Sequence, residues 1–384
     1  MLNNIKVARV ATVPSFLDSH LREQMKHLSS AGFQVSAVSS IAGDWLRLQN
    51  EKELECIRLN ITRKISPIRD IISLAKLYWL FKTNKFDIVH STTPKAGLLC
   101  AIAGWLARTP VRLHTFTGQV WATKKGRLRA LLIFLDKLIV HLNTQCYTDS
   151  NSQLQFLLDQ GIGNKSPLKT LAHGSLSGVN LDQFNRQKWK NGNTELRNEL
   201  SISHNDFVLI FVGRLSKEKG IFELIQAYKK LKKRYNELHL ILAGPCEEVA
   251  TQQALKLWES ISNLHYIGHT GTPEKYLSIS NLLCLPSYRE GFGTVVIEAA
   301  AMAVPTVGTN ITGLNDAIVN GVTGLQVEPN DAFSLELAID KLIKDRALCE
   351  RLGQQALERC QNNFNASHIS ESLTKEYNYL IKRY

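Results

Sequence analysis

Twice along this chain, short apolar runs alternate with helix-length amphipathic segments, and a polar stretch at residues 185–205, containing R-Q-K-W-K-N-G-N-T, separates the two series. A strand covered on both faces by helices must be apolar throughout. Strands that alternate with helices are joined in parallel by crossovers, so the pattern predicts an α/β fold with two doubly wound sheets. In the first series strands are expected at residues 5–13, 35–38, 56–59, 86–89, 111–114, 146–148 and 168–172, with helices at 15–31, 67–81, 95–107, 126–142 and 151–159. In the second, strands are expected at 207–212, 239–243, 265–268, 282–285 and 305–307. The helices there are expected at 220–235, 247–261, 273–279, from Thr294 onward, and at 332–344, 347–360 and 369–381. With 384 residues, the chain exceeds the roughly 250 to 300 at which one core stops growing. Two such domains in tandem bind ligands in the cleft between them, at the carboxyl ends of their strands.

Composition narrows the classes further. Hydrophobic residues at 44% and charged residues at 21% describe a globular chain rather than a disordered one. The seven cysteines are scattered, odd in number and never in a C-x-x-C pair, which points to a reducing compartment without a disulfide framework or a zinc site. Residues 1–13 lack the cationic and apolar regions of a signal peptide, so a cytoplasmic location is expected. The apolar stretches 97–107 and 128–142 are shorter than a spanning helix, and the second carries Asp136 and Lys137.

The net charge of +12 is concentrated between Arg58 and Lys137, where Asp70, Asp87 and Asp136 are the only acids. An anionic membrane surface, a phosphorylated substrate or a nucleic acid would each suit that excess, as would a plain solvated face. The run K-K-G-R-L-R at residues 124–129 leads into L-L-I-F-L. That is the pattern of a basic amphipathic helix, which favours a membrane surface over nucleic acid.

Two strand-to-helix junctions in the second series carry chemistry. At residues 285–299, L-P-S-Y-R-E-G-F-G-T-V-V-I-E-A, a buried run meets a turn with Glu290, Gly291 and Gly293, and a helix begins at Thr294 with Glu298 one turn inside. Glycines admit a ligand close to the backbone, and a helix N-terminus offers unpaired N–H groups to a phosphate or a sugar. A plain loop with solvated acids over a core helix would read the same way. At residues 213–220, G-R-L-S-K-E-K-G follows a strand directly, and Arg214 and Lys219 bracket a turn suited to a diphosphate. It is not a Walker A loop.

These two segments, together with I-L-A-G-P at 241–245, L-H-Y-I-G at 264–268 and G-V-T-G-L-Q-V at 321–327, resemble the C-terminal half of retaining glycosyltransferases of family four, which have the GT-B architecture. D-I-V-H-S-T-T-P-K-A-G at 87–97 and G-S-L-S-G-V-N-L-D-Q-F at 174–184 are similar to the family's N-terminal domain, so the resemblance covers nearly the whole chain. It implies two Rossmann-like domains facing across a cleft: an acceptor domain at 1–190, onto which a helix at about 366–384 packs back, and a nucleotide-sugar domain at 200–365. Gly213, Arg214 and Lys219 would hold the donor diphosphate, and the two cations would neutralise the departing nucleotide. Glu298 would hold the ribose, and Glu290 with Gly291, Phe292, Gly293 and Thr294 the sugar and phosphate. The implied chemistry uses no metal, in keeping with the lack of a D-x-D motif, and no cofactor besides a UDP-linked donor. The implied acceptor is a lipid-linked or other glycan for lipopolysaccharide or capsule, met at the inner face of the cytoplasmic membrane.

The N-terminal segments depart from the family pattern. The first turn reads V-A-T-V-P-S-F-L where many members have a glycine pair, His90 is followed by Thr92 rather than a second histidine, and Thr117 stands where many have a histidine before glycine. His114, three positions earlier, is either the substitute for that catalytic histidine or a core-edge histidine. His90 and Lys95 are the further acceptor-site candidates, with Lys124 behind them. A UDP-sugar 2-epimerase, which shares the two-domain shape, and a non-catalytic basic binding protein are the alternatives.

Overall fold

The structure, a computed structural model, describes residues 4–41, 45–63, 65–164, 168–189, 192–258 and 260–384. Lys64 of the basic stretch, residues 190–191 of the polar stretch and Glu259 of the helix expected at 247–261 lie outside the described residues. The chain forms two compact units, Met1–Gly178 with Ala366–Tyr384, and Val179–Asn365.

The first unit alternates β1 (Lys6–Val10), a helical run of α1 (Pro14–Phe16), a π-helical turn (Leu17–Leu21) and α2 (Arg22–Ser30), then β2 (Gln34–Ser39), α3 (Leu46–Asn50), β3 (Leu54–Arg58) and α4 (Pro67–Asn84). It continues through β4 (Ile88–Thr92), α5 (Pro94–Leu106), β5 (Val111–Phe116), α6 (Gly126–Leu142), β6 (Gln145–Thr148), α7 (Asn151–Asp159) and β7 (Leu168–Thr170). All seven strands are parallel, in the order β3-β2-β1-β4-β5-β6-β7. The order reverses between β1 and β4, and that is where an open α/β sheet presents its crevice. Proline at the first position of α4 and of α5 costs no hydrogen bond, since those N–H groups have no partner inside the helix. Ser150 caps α7 by accepting from the Gln153 N–H.

The second unit begins with α8 (Asn193–Glu199), β8 (Phe207–Val212), α9 (Ile221–Lys232), β9 (Leu238–Ala243), α10 (Val249–Trp258), β10 (Leu264–Gly268) and α11 (Pro273–Leu277). Then come β11 (Leu282–Leu285), α12 (Thr294–Ala301), β12 (Thr306–Thr309), α13 (Leu314–Ala317), β13 (Gly324–Val327), α14 (Ala332–Lys344) and α15 (Arg346–Asn363). Its parallel sheet runs β10-β9-β8-β11-β12-β13, with the switch between β8 and β11. The last helix, α16 (Ala366–Arg383), returns to the first unit, where Leu373, Tyr377 and Leu380 join the core that contains Leu21, Met25 and Leu28 of the first helical run.

The polar stretch at 185–205 is not the connection between units. It holds α8, whose Leu196 is buried in the second core, and Arg197 donates to the carbonyls of Ser203 at 2.7 Å and Ile279 at 3.0 Å. Polar composition there reflects an outer helix tied down by side-chain bonds, and the chain changes unit at Gly178 instead of near residue 190. Strand β13 and helices α3, α8 and α13 have no counterpart among the expected elements, being seven residues or shorter. No helix among the described residues is long and apolar enough to cross a membrane.

Candidate functional site

In the second unit the two strands at the switch point, β8 and β11, each end in one of the loops singled out by sequence. The loop after β8 turns at Gly213, forms a single helical turn at Lys217–Lys219 and enters α9 through Gly220 in the left-handed conformation at φ 69°. A Cβ on Gly220 would stand 2.0 Å from the Pro286 carbonyl oxygen, so only glycine allows the two loops to touch. The Tyr288 N–H donates to the Glu218 carbonyl at 2.8 Å, and Arg289 pairs with the Glu218 carboxylate at 3.3 Å, fixing their separation.

Across this contact, Lys219 Nζ meets Glu290 Oε1 at 2.5 Å, and Ser287 Oγ donates to the same oxygen at 2.8 Å. Both side chains are largely withdrawn from water, at 22% and 12% exposure. Arg214, partly buried in the β8 loop, makes no ion pair among the described residues. Helix α12 starts from Gly293 at φ 83° with no side chain capping it, so the N–H groups from Thr294 onward lack a capping side-chain acceptor. A half-buried cation, a second cation without a carboxylate and an uncapped helix start converge on the end of one sheet. This arrangement can hold an anion and stabilise charge that develops on it.

Glu298 lies one turn into α12, and its carboxyl is pushed up to about 7 by burial and then by the charge of Glu274 on α11. Glu274 itself is buried, and its Oε2 has no hydrogen-bond partner. Sequence reasoning missed Glu274, because nothing in its local pattern marks a residue that faces Glu298 only through the fold.

The first unit places its candidates differently. His114 is 1% exposed, with Nδ1 at 3.0 Å from Ser91 Oγ and the ring set edge-on to Phe116. Burial drives it down to about 3, so the ring is neutral. The structure thus places His114 in the core, beside the α5 backbone, whose Gly97 leaves room for its ring. His90, also 1% exposed, accepts from Arg9 Nη1 at 3.0 Å through Nδ1, and Tyr377 Oη lies 2.6 Å from the same nitrogen. Because a guanidinium only donates, Nδ1 is the bare nitrogen, and Nε2–H donates to Thr115 at 2.8 Å. His90 thus links β4 to α16 through Tyr377. Lys95 is occupied as well, by Asp70 at 2.5 Å and Thr62 at 2.9 Å.

At the first unit's own switch point stand residues that the sequence did not flag. Thr93, between β4 and α5, has φ 72°, and its hydroxyl pairs with the Thr12 hydroxyl at 2.8 Å and accepts from the Thr12 N–H at 3.2 Å. A β-branched residue is strained at positive φ, and such strain gathers at sites where ligands bind. Among the described residues no group of three or more His, Cys, Asp or Glu side chains is placed to hold a metal ion.

Comparison with known proteins decides the family. Residues 192–359 match the family described as "Glycosyl transferases group 1", and residues 17–167 match the "Glycosyl transferase 4-like domain". Over 385 aligned residues the chain is 32% identical to the capsular polysaccharide biosynthesis glycosyltransferase CapM of Staphylococcus aureus, covering 99% of each chain. The chain belongs to glycosyltransferase family four. A second relative of this glycosyltransferase, 24% identical with 94% of each chain covered, is the UDP-Gal:alpha-D-GlcNAc-diphosphoundecaprenol alpha-1,3-galactosyltransferase of Escherichia coli. The fold matches that of Anabaena HepE, solved in complex with UDP and glucose, with a TM-score of 0.79 at 16% identity over 97% of this chain and 99% of that one. The glycosyltransferase has the GT-B type of fold, two parallel-sheet Rossmann-like domains. The epimerase and binding-protein alternatives gain no support from these relatives.

Proposed function

We propose that this glycosyltransferase moves a hexosyl or N-acetylhexosaminyl group from a UDP-sugar to a diphosphate-linked lipid acceptor in the synthesis of a surface polysaccharide, with retention of the anomeric configuration and without a metal ion. The observation that carries this reading is the Lys219–Glu290 pair at the switch point of the second sheet, with Arg214 beside it on the β8 loop. Lys219 and Arg214 take the charge of the departing UDP, so the sugar–phosphate bond breaks towards cations already in place and the reorganisation cost is small. Glu290, oriented by Ser287 and Lys219, binds sugar hydroxyls, and the N-terminus of α12 holds a phosphate. Glu298 accepts from the ribose hydroxyls when ionised. The names of the S. aureus and E. coli relatives support capsule-type products and a lipid diphosphate acceptor.

Incubating the protein with a panel of UDP-sugars and a short-chain polyprenyl-diphosphate saccharide tests the reading. Acceptor-dependent UDP release, an α-glycoside by NMR and a rate unchanged by chelator are expected. No glycoside from any donor would reject it, and free 2-epimeric sugar without acceptor would replace it with the epimerase.

A further inference from the structure

Helix α4 is apolar on the side that faces away from its own core. Leu77 and Phe81 point inward and are buried, as expected of a crossover helix. On the opposite side Ile68, Ile72, Ala75 and Trp79 recur at helical spacing, with Ile68 75% and Trp79 62% exposed. Ile65, just before the helix, is 80% exposed, and Ile71 67%. Arg69, Lys76 and Lys82 are exposed along the flanks of this stripe. Helix α6, with only α5 between it and α4, repeats the design: Leu128, Leu131 and Phe134 are each at least half exposed, and Lys124, Lys125 and Arg127 are exposed at its start. Scattered exposed apolar residues are ordinary, but stripes edged by cations on the two helices that flank α5 are not.

The acids of this region are all turned away. Asp70 is held by Lys95 at 2.5 Å, Asp87 accepts from the Lys6 N–H at 2.8 Å, and Asp136 is buried with Trp121 Nε1 at 2.6 Å. Among the described residues of α4 and α6, no carboxylate therefore remains on the outer side, where apolar side chains and cations alternate. We infer that the α4 and α6 faces form a bilayer-docking surface that seats the first unit on anionic phospholipid, with isoleucine, leucine and aromatic side chains at the acyl boundary and Arg69, Lys76, Lys82, Lys124, Lys125 and Arg127 at headgroup phosphates. The inference extends the proposed function: it rests on that function's membrane-borne acceptor and names the surface that reaches it. Charge complementarity selects the occupant, because a second copy of the same cationic face would be repelled.

Sedimentation with vesicles of phosphatidylglycerol and phosphatidylcholine, against phosphatidylcholine alone, tests it in the full chain. Binding only to the anionic vesicles is expected, with brominated lipid quenching Trp79 emission. Ile68→Glu/Ile72→Glu is expected to weaken vesicle binding by at least about tenfold while leaving the thermal melt and UDP binding unchanged, since both positions are exposed. Lys229→Glu/Lys233→Glu, exposed cations of the second unit, should bind vesicles as the parent does. Vesicle binding unaltered by I68E/I72E, equal binding to uncharged vesicles, or a concentration-dependent dimer lost in I68E/I72E would each overturn the surface. Vesicle binding lost in I68E/I72E while no variant transfers sugar would uphold the surface and reject the transfer reading. Transfer to the short-chain acceptor with unaltered vesicle binding would do the reverse.

Discussion

At the scale of single residues, Lys219 and Glu298 carry the sharpest expectations. Lys219→Ala removes a half-buried cation held in place by Glu290, so kcat/KM should fall by about 2–4 kcal/mol of transition-state stabilisation, while the melt stays close to the parent's; near-normal turnover would dismiss the role. Glu298 predicts a pH signature. The folded chain keeps that proton up to about 7, whereas an unfolded carboxyl releases it near 4.5. The native state thus binds more protons across this interval, and its stability falls as pH rises through it. Glu298→Gln should therefore raise Tm relative to the parent above pH 7 and weaken donor binding there, with the Tm gain gone below pH 4.5; parallel Tm curves would refute the assignment. Arg214, Lys219 and Glu290 could be singled out from the sequence because they lie in short loops after strands, and Glu298 because it follows one turn into the next helix, where local order fixes position. The burial of His114 and His90 could not be read the same way, because it depends on what α5 and α16 lay over them, and no local pattern encodes that.

Elements raise a different question, which is how much a loop or helix tolerates. Gly97 of α5 lies against the His114 ring, and an added Cβ would sit 2.4 Å from it. Gly97→Ala should destabilise the first unit by about 1–3 kcal/mol, read as a lower denaturation midpoint, and His114→Ala in the same chain should recover part of the loss. Additive losses would mean that the two do not share the space. The long alternating elements could be placed from sequence because apolar runs and helical periods are local signals. Strand β13 and helices α3 and α13 were missed because elements this short carry too few residues to show a period. The outer stripe of α4 was missed for another reason: apolar residues stand on both its inward and its outward side, so only exposure reveals which of them face solvent.

For the whole molecule, the decisive feature is that the first unit is built from both ends of the chain. Tyr377 of α16 bonds Arg9 at 2.9 Å and His90 at 2.6 Å, and Glu376 accepts from Tyr147 at 2.9 Å. Without α16, Arg9 and His90 keep each other but lose Tyr377, and Tyr147 loses Glu376, at about 1–3 kcal/mol for each bond lost. Residues 1–178 alone should therefore give the proteolysis pattern of an unfolded chain, and joining residues 366–384 to them should restore protection. Residues 179–365 alone should fold and bind UDP. A protected 1–178 fragment would show that α16 is dispensable. The closure by α16 also sets an order of events during synthesis. The domain translated first cannot be finished until the last helix leaves the ribosome, after the 179–365 unit has been made. At ordinary elongation rates that is a wait of roughly ten to forty seconds, during which the nascent first domain holds its Arg9 pocket open and the domain made second is complete before it.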